Sequence, residues 1–202
     1  MGKGLGVAAS ALALLLAMGV AACGSSNDNS ADENQITQAI TAAATSGDPS
    51  ACTKYQTIHF TEQTSGGTGQ AAIRSCEKGA QDTAADSIAV TDVQVNGDHA
   101  TAVGKATGST FDGQTLKVAL VKENGEWKLD DFQGFQDFNK AAMIAAFEKQ
   151  LSTENVPQQG IDCLKQQFQA ASDQQIENTF IGNNPQAQNQ LFGPCAKYFK
   201  GQ

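Results

Sequence analysis

Apolar residues recur along this chain with several different periods. From Leu5 to Val20 they are nearly continuous. From Glu33 to Ser46 they follow the helical period, with Ile36, Ala39, Ile40 and Ala43 on one face. Gly47-Asp48-Pro49 predicts the end of that helix. Residues 50–63 keep no clean period and predict a helical turn followed by a short strand around Tyr55 to Phe60. Gly66-Gly67-Thr68-Gly69 reads as a loop, and residues 70–84 as a second helix with Ala72, Ile73, Cys76 and Ala80 on one face.

The period then shortens to two. Ser87 to Val95 alternates, with Ile88 and Val90 on one parity and Val93 and Val95 on the other, which predicts a β-bulge inside the strand. Asn96-Gly97-Asp98 predicts a hairpin turn into a second strand from His99 to Thr107. A longer turn, Gly108 to Gly113, leads to Gln114–Lys122, where Leu116, Val118 and Leu120 alternate. Asn124-Gly125 predicts a second tight turn, and Glu126 to Phe132 a fourth strand with Trp127 and Leu129 on one face. Four hairpin-linked strands make an antiparallel meander.

After Gly134 the spacing is helical again. Phe135, Phe138, Ala142, Ala145, Ala146 and Leu151 predict one helix; Ile161, Leu164, Phe168 and Ala171 predict another. Ser172 followed by Gln175 is a capping-box signal before Ile176 and Phe180. Asn184-Pro185 is an N-cap with proline at the first helical position. Leu191, Cys195 and Phe199 stripe a last helix.

The start of the chain has one charged residue, Lys3, then the apolar run, then Val20-Ala21-Ala22-Cys23-Gly24. This resembles a bacterial lipoprotein signal peptide with its lipobox, with Val20 where leucine is usual. The apolar run is shorter than the roughly 20 residues of a permanent transmembrane helix. The resemblance implies cleavage before Cys23, lipidation of its sulfur, and anchoring on the extracytoplasmic side of a cell membrane. Two acyl chains give stable attachment where one does not. Residues 1–22 are then signal peptide, and residues 23–32 the lipidated cysteine and a polar tether. Such a tether reaches roughly 15–20 Å.

Helices followed by four antiparallel strands is the order of the NTF2-like, or cystatin-like, α+β roll. Val90-Thr91-Asp92-Val93-Gln94-Val95-Asn96-Gly97-Asp98-His99-Ala100 and Val118-Ala119-Leu120-Val121-Lys122-Glu123-Asn124-Gly125-Glu126-Trp127-Lys128-Leu129 look like the paired hairpins of that group. Residues 33–133 thus resemble the NTF2-like domains of actinobacterial lipoproteins. Residues 134–202 resemble the short cysteine-bearing helical segments of actinobacterial secreted proteins. The expected architecture is α+β: a roll with a sheet of four or more strands, followed by a small all-helical module.

Composition narrows the partners. The formal net charge is −8, and loss of residues 1–22 with Lys3 takes it to −9. An acidic chain with no basic run is repelled by nucleic acid phosphates, so no nucleic acid partner is expected. Besides Cys23, the cysteines are Cys52, Cys76, Cys163 and Cys195. In an exported chain an even number reads as disulfides, with three possible pairings. We expect Cys52–Cys76 and Cys163–Cys195, because each pair then stays inside one predicted unit. Each loop closure contributes roughly 3–4 kcal/mol in the chain-entropy model. No CxxC and no nearby His pair are present, so zinc is not expected.

Catalytic members of the NTF2-like fold place Asp, His or Tyr inside the cone that the bent sheet makes. The candidates here are Tyr55, His59, His99, Asp130 and Asp131. Ile58-His59-Phe60 is apolar-flanked and can turn His59 into the cone. His99 follows a Gly-Asp turn and reads as a solvated strand start; Asp130-Asp131 reads as a solvated strand end rather than a dyad, because neighbours in a strand point to opposite faces. Trp127 reads as a core anchor that can also floor a pocket, so Tyr55, His59 and Trp127 are the candidate ligand-pocket residues. Gly66-Gly67-Thr68-Gly69 lacks the Lys-Ser/Thr ending of a phosphate loop, and no Gly-x-Ser-x-Gly elbow is present. The expected function is non-catalytic: a membrane-anchored module binding an envelope protein or a small hydrophobic ligand, with no cofactor. The alternative is an isomerase- or dehydratase-type enzyme using His59 and a carboxylate.

Overall fold

A computed structural model describes residues 29–153, 155–181 and 184–199. Cys23 and the apolar run before it lie outside the described residues. The elements are α1 (Asn29–Thr45), α2 (Ala51–Lys54), α3 (Ile58–Ser65), α4 (Gln70–Thr83), β1 (Ser87–Asn96), β2 (His99–Thr107), β3 (Thr115–Glu123), β4 (Glu126–Asp137), α5 (Lys140–Thr153), α6 (Gln158–Ala170), α7 (Asp173–Phe180) and α8 (Pro185–Phe192), followed by a 3₁₀ turn, Gly193–Tyr198. The chain is α+β, with one four-stranded antiparallel sheet in the order β1-β2-β3-β4.

The turns form as their residues dictate. Gly97 has φ 62° at the first central position of the β1–β2 turn; Asn124 and Gly125 have φ 53° and 86° in the β3–β4 turn. Positive φ at one or both central positions gives the primed turns that match strand twist. The bulge expected in β1 lies between Thr91 and Gln94, where Asp92 has φ 51°.

β4 departs most from expectation. It runs to Asp137 rather than Phe132, and three register shifts leave Asp130, Gln133 and Gln136 with no partner opposite on β3. Each bulge adds one residue to the period of two. Trp127, Leu129, Phe132 and Phe135 therefore sit opposite Lys122, Leu120, Val118 and Leu116, all on one face. The three-residue steps imitate helical spacing, which is why Phe135 and Phe138 read as the start of a helix. That helix, α5, begins only at Lys140. Bulges also bend a strand.

α1 lies across this face against β1 and β4. Its buried Ile36, Ala39 and Ile40 meet Ala100, Ala102, Val118, Leu120, Trp127, Leu129 and Phe132. Side chains fill the space between helix and sheet. Residues 29–32, expected in the tether, are helical and belong to α1.

The strand expected from Tyr55 to Phe60 shrinks to a single bridge. Gln56 pairs with Leu129 on the outer edge of β4, with Leu129 N–H donating to Tyr55 and Thr57 N–H to Leu129, at 2.9 and 2.8 Å. Thr57 then caps α3 by accepting from Phe60 N–H, and a capped helix start wins over a β-prone run. Two bonds from one carboxamide continue the edge. Gln63 donates to the Phe132 carbonyl (2.9 Å) and accepts from its N–H (2.7 Å), filling the place of a neighbouring strand.

Beyond β4 the helices pack around buried Met143, Phe168, Ile176 and Leu191. The capping box at Ser172 and Gln175 and the Asn184 cap with Pro185 form as expected. The last predicted helix breaks at Gly193-Pro194 into the 3₁₀ turn, since proline lacks the N–H that would continue α8.

Both expected disulfides are present. Cys52–Cys76 ties α2 to α4, and Cys163–Cys195 ties α6 to the 3₁₀ turn.

Candidate functional site

The first turn of α1 brings Asp32 to the end of the sheet. Asp32 Oδ1 accepts from Lys122 Nζ at 2.6 Å and from Trp127 Nε1 at 2.9 Å. The hydrogen bond from Lys122, then that from Trp127, holds the Asp32 carboxyl below the ordinary aspartate range. Lys122 Nζ also lies 5.4 Å from the Trp127 ring centroid, within cation–π range. Lys122 shares its face with Leu120 and Val118 because it keeps their parity on β3. An apolar-facing lysine needs a partner, and α1 supplies it.

Beside this cluster, a groove of about 690 Å³ opens between the outer side of α1, α2 and the start of β4. Gln35, Gln38 and Thr41 of α1 form one wall; Lys54, Tyr55 and Glu126 form the other, with Trp127 between. Lys54 Nζ sits 5.0 Å from the Tyr55 ring centroid. The Tyr55 side chain raises the Lys54 ammonium above its ordinary value, and Glu126 and Asp48 add attraction. The groove therefore carries two aromatic rings, each under a lysine, with uncharged hydrogen-bonding side chains opposite. Such a surface suits an extended or planar ligand with acceptor groups.

Tyr55 and Trp127 thus meet in one groove. His59 does not join them. It lies on the exposed side of α3, with Nε2 3.9 Å from Asp131 Oδ1 and its side chain 61% exposed. The exposed face of an eight-residue helix, rather than the space between α1 and the sheet, receives it, because Thr57 sets the start of α3. His99 is exposed at the start of β2.

Asp130 and Asp131 are not strand-end residues. Both lie mid-strand at the first bulge and fasten α3 to β4. Thr57 Oγ1 donates to Asp130 at 2.8 Å, and Gln63 Nε2 to Asp131 at 3.0 Å. The bulge places the adjacent carboxylates toward the same segment, which strand alternation did not foresee.

Asp32 is the site residue that sequence reasoning missed. It falls within the residues that read as tether, and its nearest signal is an acidic residue just before an apolar-periodic run, as helix starts favour. Among the described residues, no group of three His, Cys, Asp or Glu side chains is placed to hold a metal, and no helix is long and apolar enough to cross a membrane.

Compared with models of known protein families, with curated proteins and with solved structures, the chain matches none.

Proposed function

We propose that this chain is a lipid-anchored protein of the extracytoplasmic face of a bacterial membrane, whose folded part is a non-catalytic binding module. On this reading the sheet and its helices form an NTF2-like roll, and the later helices a disulfide-stapled segment behind it. The observation that carries the proposal is the use of the five cysteines. Four pair in two disulfides, as an oxidising compartment favours. The fifth, Cys23, stands at the end of an apolar run, after two alanines and before a glycine.

The position of the groove supports a binding role near the membrane. Six peptide steps separate Cys23 from Asn29, a span of at most about 20 Å. The Asp32 cluster and the adjacent groove follow within the first turns of α1. A partner protein with an extended, acceptor-bearing segment is the occupant this groove fits best, since side chains fill the interior beneath α1.

Fractionation of cells making the wild type and Cys23→Ser tests the anchor. The wild type is expected in the membrane fraction and the variant in precursor form or in the medium. Equal distribution of the two would refute the anchor. Cross-linking through a photoreactive side chain at Gln38 tests the groove. A discrete protein adduct lost in Tyr55→Ala is expected; adducts unchanged by Tyr55→Ala would refute the groove as the binding surface.

A further inference from the structure

A second concavity, of about 460 Å³, lies between α6, α7 and α8, on elements the groove at Trp127 does not touch. Its walls carry carboxamides from all three helices and from the α8 cap: Gln167, Gln175, Asn178, Asn184, Gln186 and Gln190. Alanines and the buried Leu191 floor it. The volume is within the roughly 300–1,000 Å³ range of small-ligand sites.

Two of these six side chains build the frame. Gln175 Oε1 accepts from Ser172 N–H at 2.8 Å in the capping box, and Asn184 Oδ1 accepts from the N–H groups of Gln186 and Ala187 at 3.1 Å. The Cys163–Cys195 disulfide fixes α6 to the turn after α8. The other four, Gln167, Asn178, Gln186 and Gln190, have no side-chain hydrogen bond to any described residue. Each offers a donor and an acceptor. The cleft thus combines fixed walls with open, uncharged hydrogen-bonding capacity.

The chemistry of these walls selects a ligand class. An ionised ligand meets no counter-charge on them and loses hydration without return. A peptide draws its specificity from side-chain pockets, and alanine with one leucine offers little of that kind. A sugar hydroxyl is both donor and acceptor, as a carboxamide is, and the C–H face of a sugar ring can rest on the alanines. We propose that the α6–α7–α8 cleft binds a neutral, hydroxyl-rich oligosaccharide. The site is independent of the membrane anchor and of the Trp127 groove.

The test is an NMR titration of the isotopically labelled mature chain, observing Asn and Gln side-chain NH₂ signals. The probes are maltotriose, triacetylchitotriose and, for comparison, trialanine. At least one trisaccharide is expected to shift the NH₂ signals of Gln167, Asn178, Gln186 and Gln190 saturably, with Kd on the order of 1 mM. Asn178→Ala combined with Gln190→Ala is expected to weaken that binding roughly tenfold while the melting temperature stays unchanged, since both side chains are exposed. Asn178→Asp, equal in shape but charged, is expected to weaken it as well. Failure of both trisaccharides to move these signals, or an equal response to trialanine, would overturn the proposal.

Discussion

Asp32 accepts two hydrogen bonds from side chains some ninety positions away in sequence, and it does so from the first turn of α1. Its carboxyl is held low by Lys122 and then by Trp127, so the contact is a pH-dependent contribution to stability. A lowered folded-state value means the contribution is fully present above the ordinary aspartate value of 3.8. It is lost as pH falls below that, through the still lower folded value. Trp127 is the only tryptophan, so the emission comes from the ring that donates to Asp32. Acid titration of the emission is expected to show a transition below that ordinary value, absent in Asp32→Asn. The same midpoint in both proteins would exclude Asp32 as its source.

Gln114 offers a second residue-scale prediction. It is fully buried, donates to the Asn139 carbonyl at 2.8 Å and accepts from Asn139 N–H at 2.9 Å. Gln114→Leu leaves the Asn139 N–H unpaired just before α5, while the Asn139 carbonyl keeps its bond from Met143 N–H. A loss of about 1–3 kcal/mol in denaturant unfolding is expected; a loss under about 0.5 kcal/mol would mean water replaces the side chain without penalty.

At the scale of elements, the strands, their turns and the capped helices were legible in the sequence because each rests on local chemistry. Asn124-Gly125 can only turn one way into a hairpin, and Ser172 with Gln175 caps whatever follows. What local chemistry did not reveal was β4. Three bulges convert its alternation into three-residue steps, and Phe135 and Phe138 then look helical. Only the pairing with β3 decides otherwise. The same is true of Asp32, whose partners come from a distant hairpin, and of His59, whose exposure follows from the Thr57 cap. The candidate groove was half legible: Tyr55 and Trp127 belong to it, and the α1 wall opposite them was unmarked. Gly134 carries a further test of β4. It has φ 119°, and a Cβ there would stand 3.0 Å from Ile181 Cδ1. Gly134→Ala is expected to cost about 1–3 kcal/mol, read by thermal unfolding; an unchanged melting temperature would contradict the bent strand described here.

At the scale of the whole molecule, one aromatic chain joins the sheet to the helices behind it. Phe111 of the β2–β3 connection lies 6.1 Å from Phe132, 5.9 Å from Phe135 and 5.7 Å from Phe180. Phe180 in turn lies 6.0 Å from Phe147, which continues to Phe168 and Phe192. Phe180→Ala removes one of the two rings, with Phe135, that pack against both clusters and is expected to cost about 3 kcal/mol. It is also expected to separate unfolding into two steps, seen by Trp127 emission for the sheet and by far-ultraviolet dichroism for the helices. One coincident transition in the variant would show that the halves are held together without that ring.

On the proposed function, Cys23 holds the folded part within a short reach of a membrane, where the groove would meet its partner. The most direct measurement is the mass of the N-terminal peptide of the protein extracted from membranes of its own kind of cell. The account predicts a chain that begins at Cys23 and carries a thioether-linked diacylglycerol. A chain that begins at Met1, or at any residue after Cys23, with no lipid mass would contradict it.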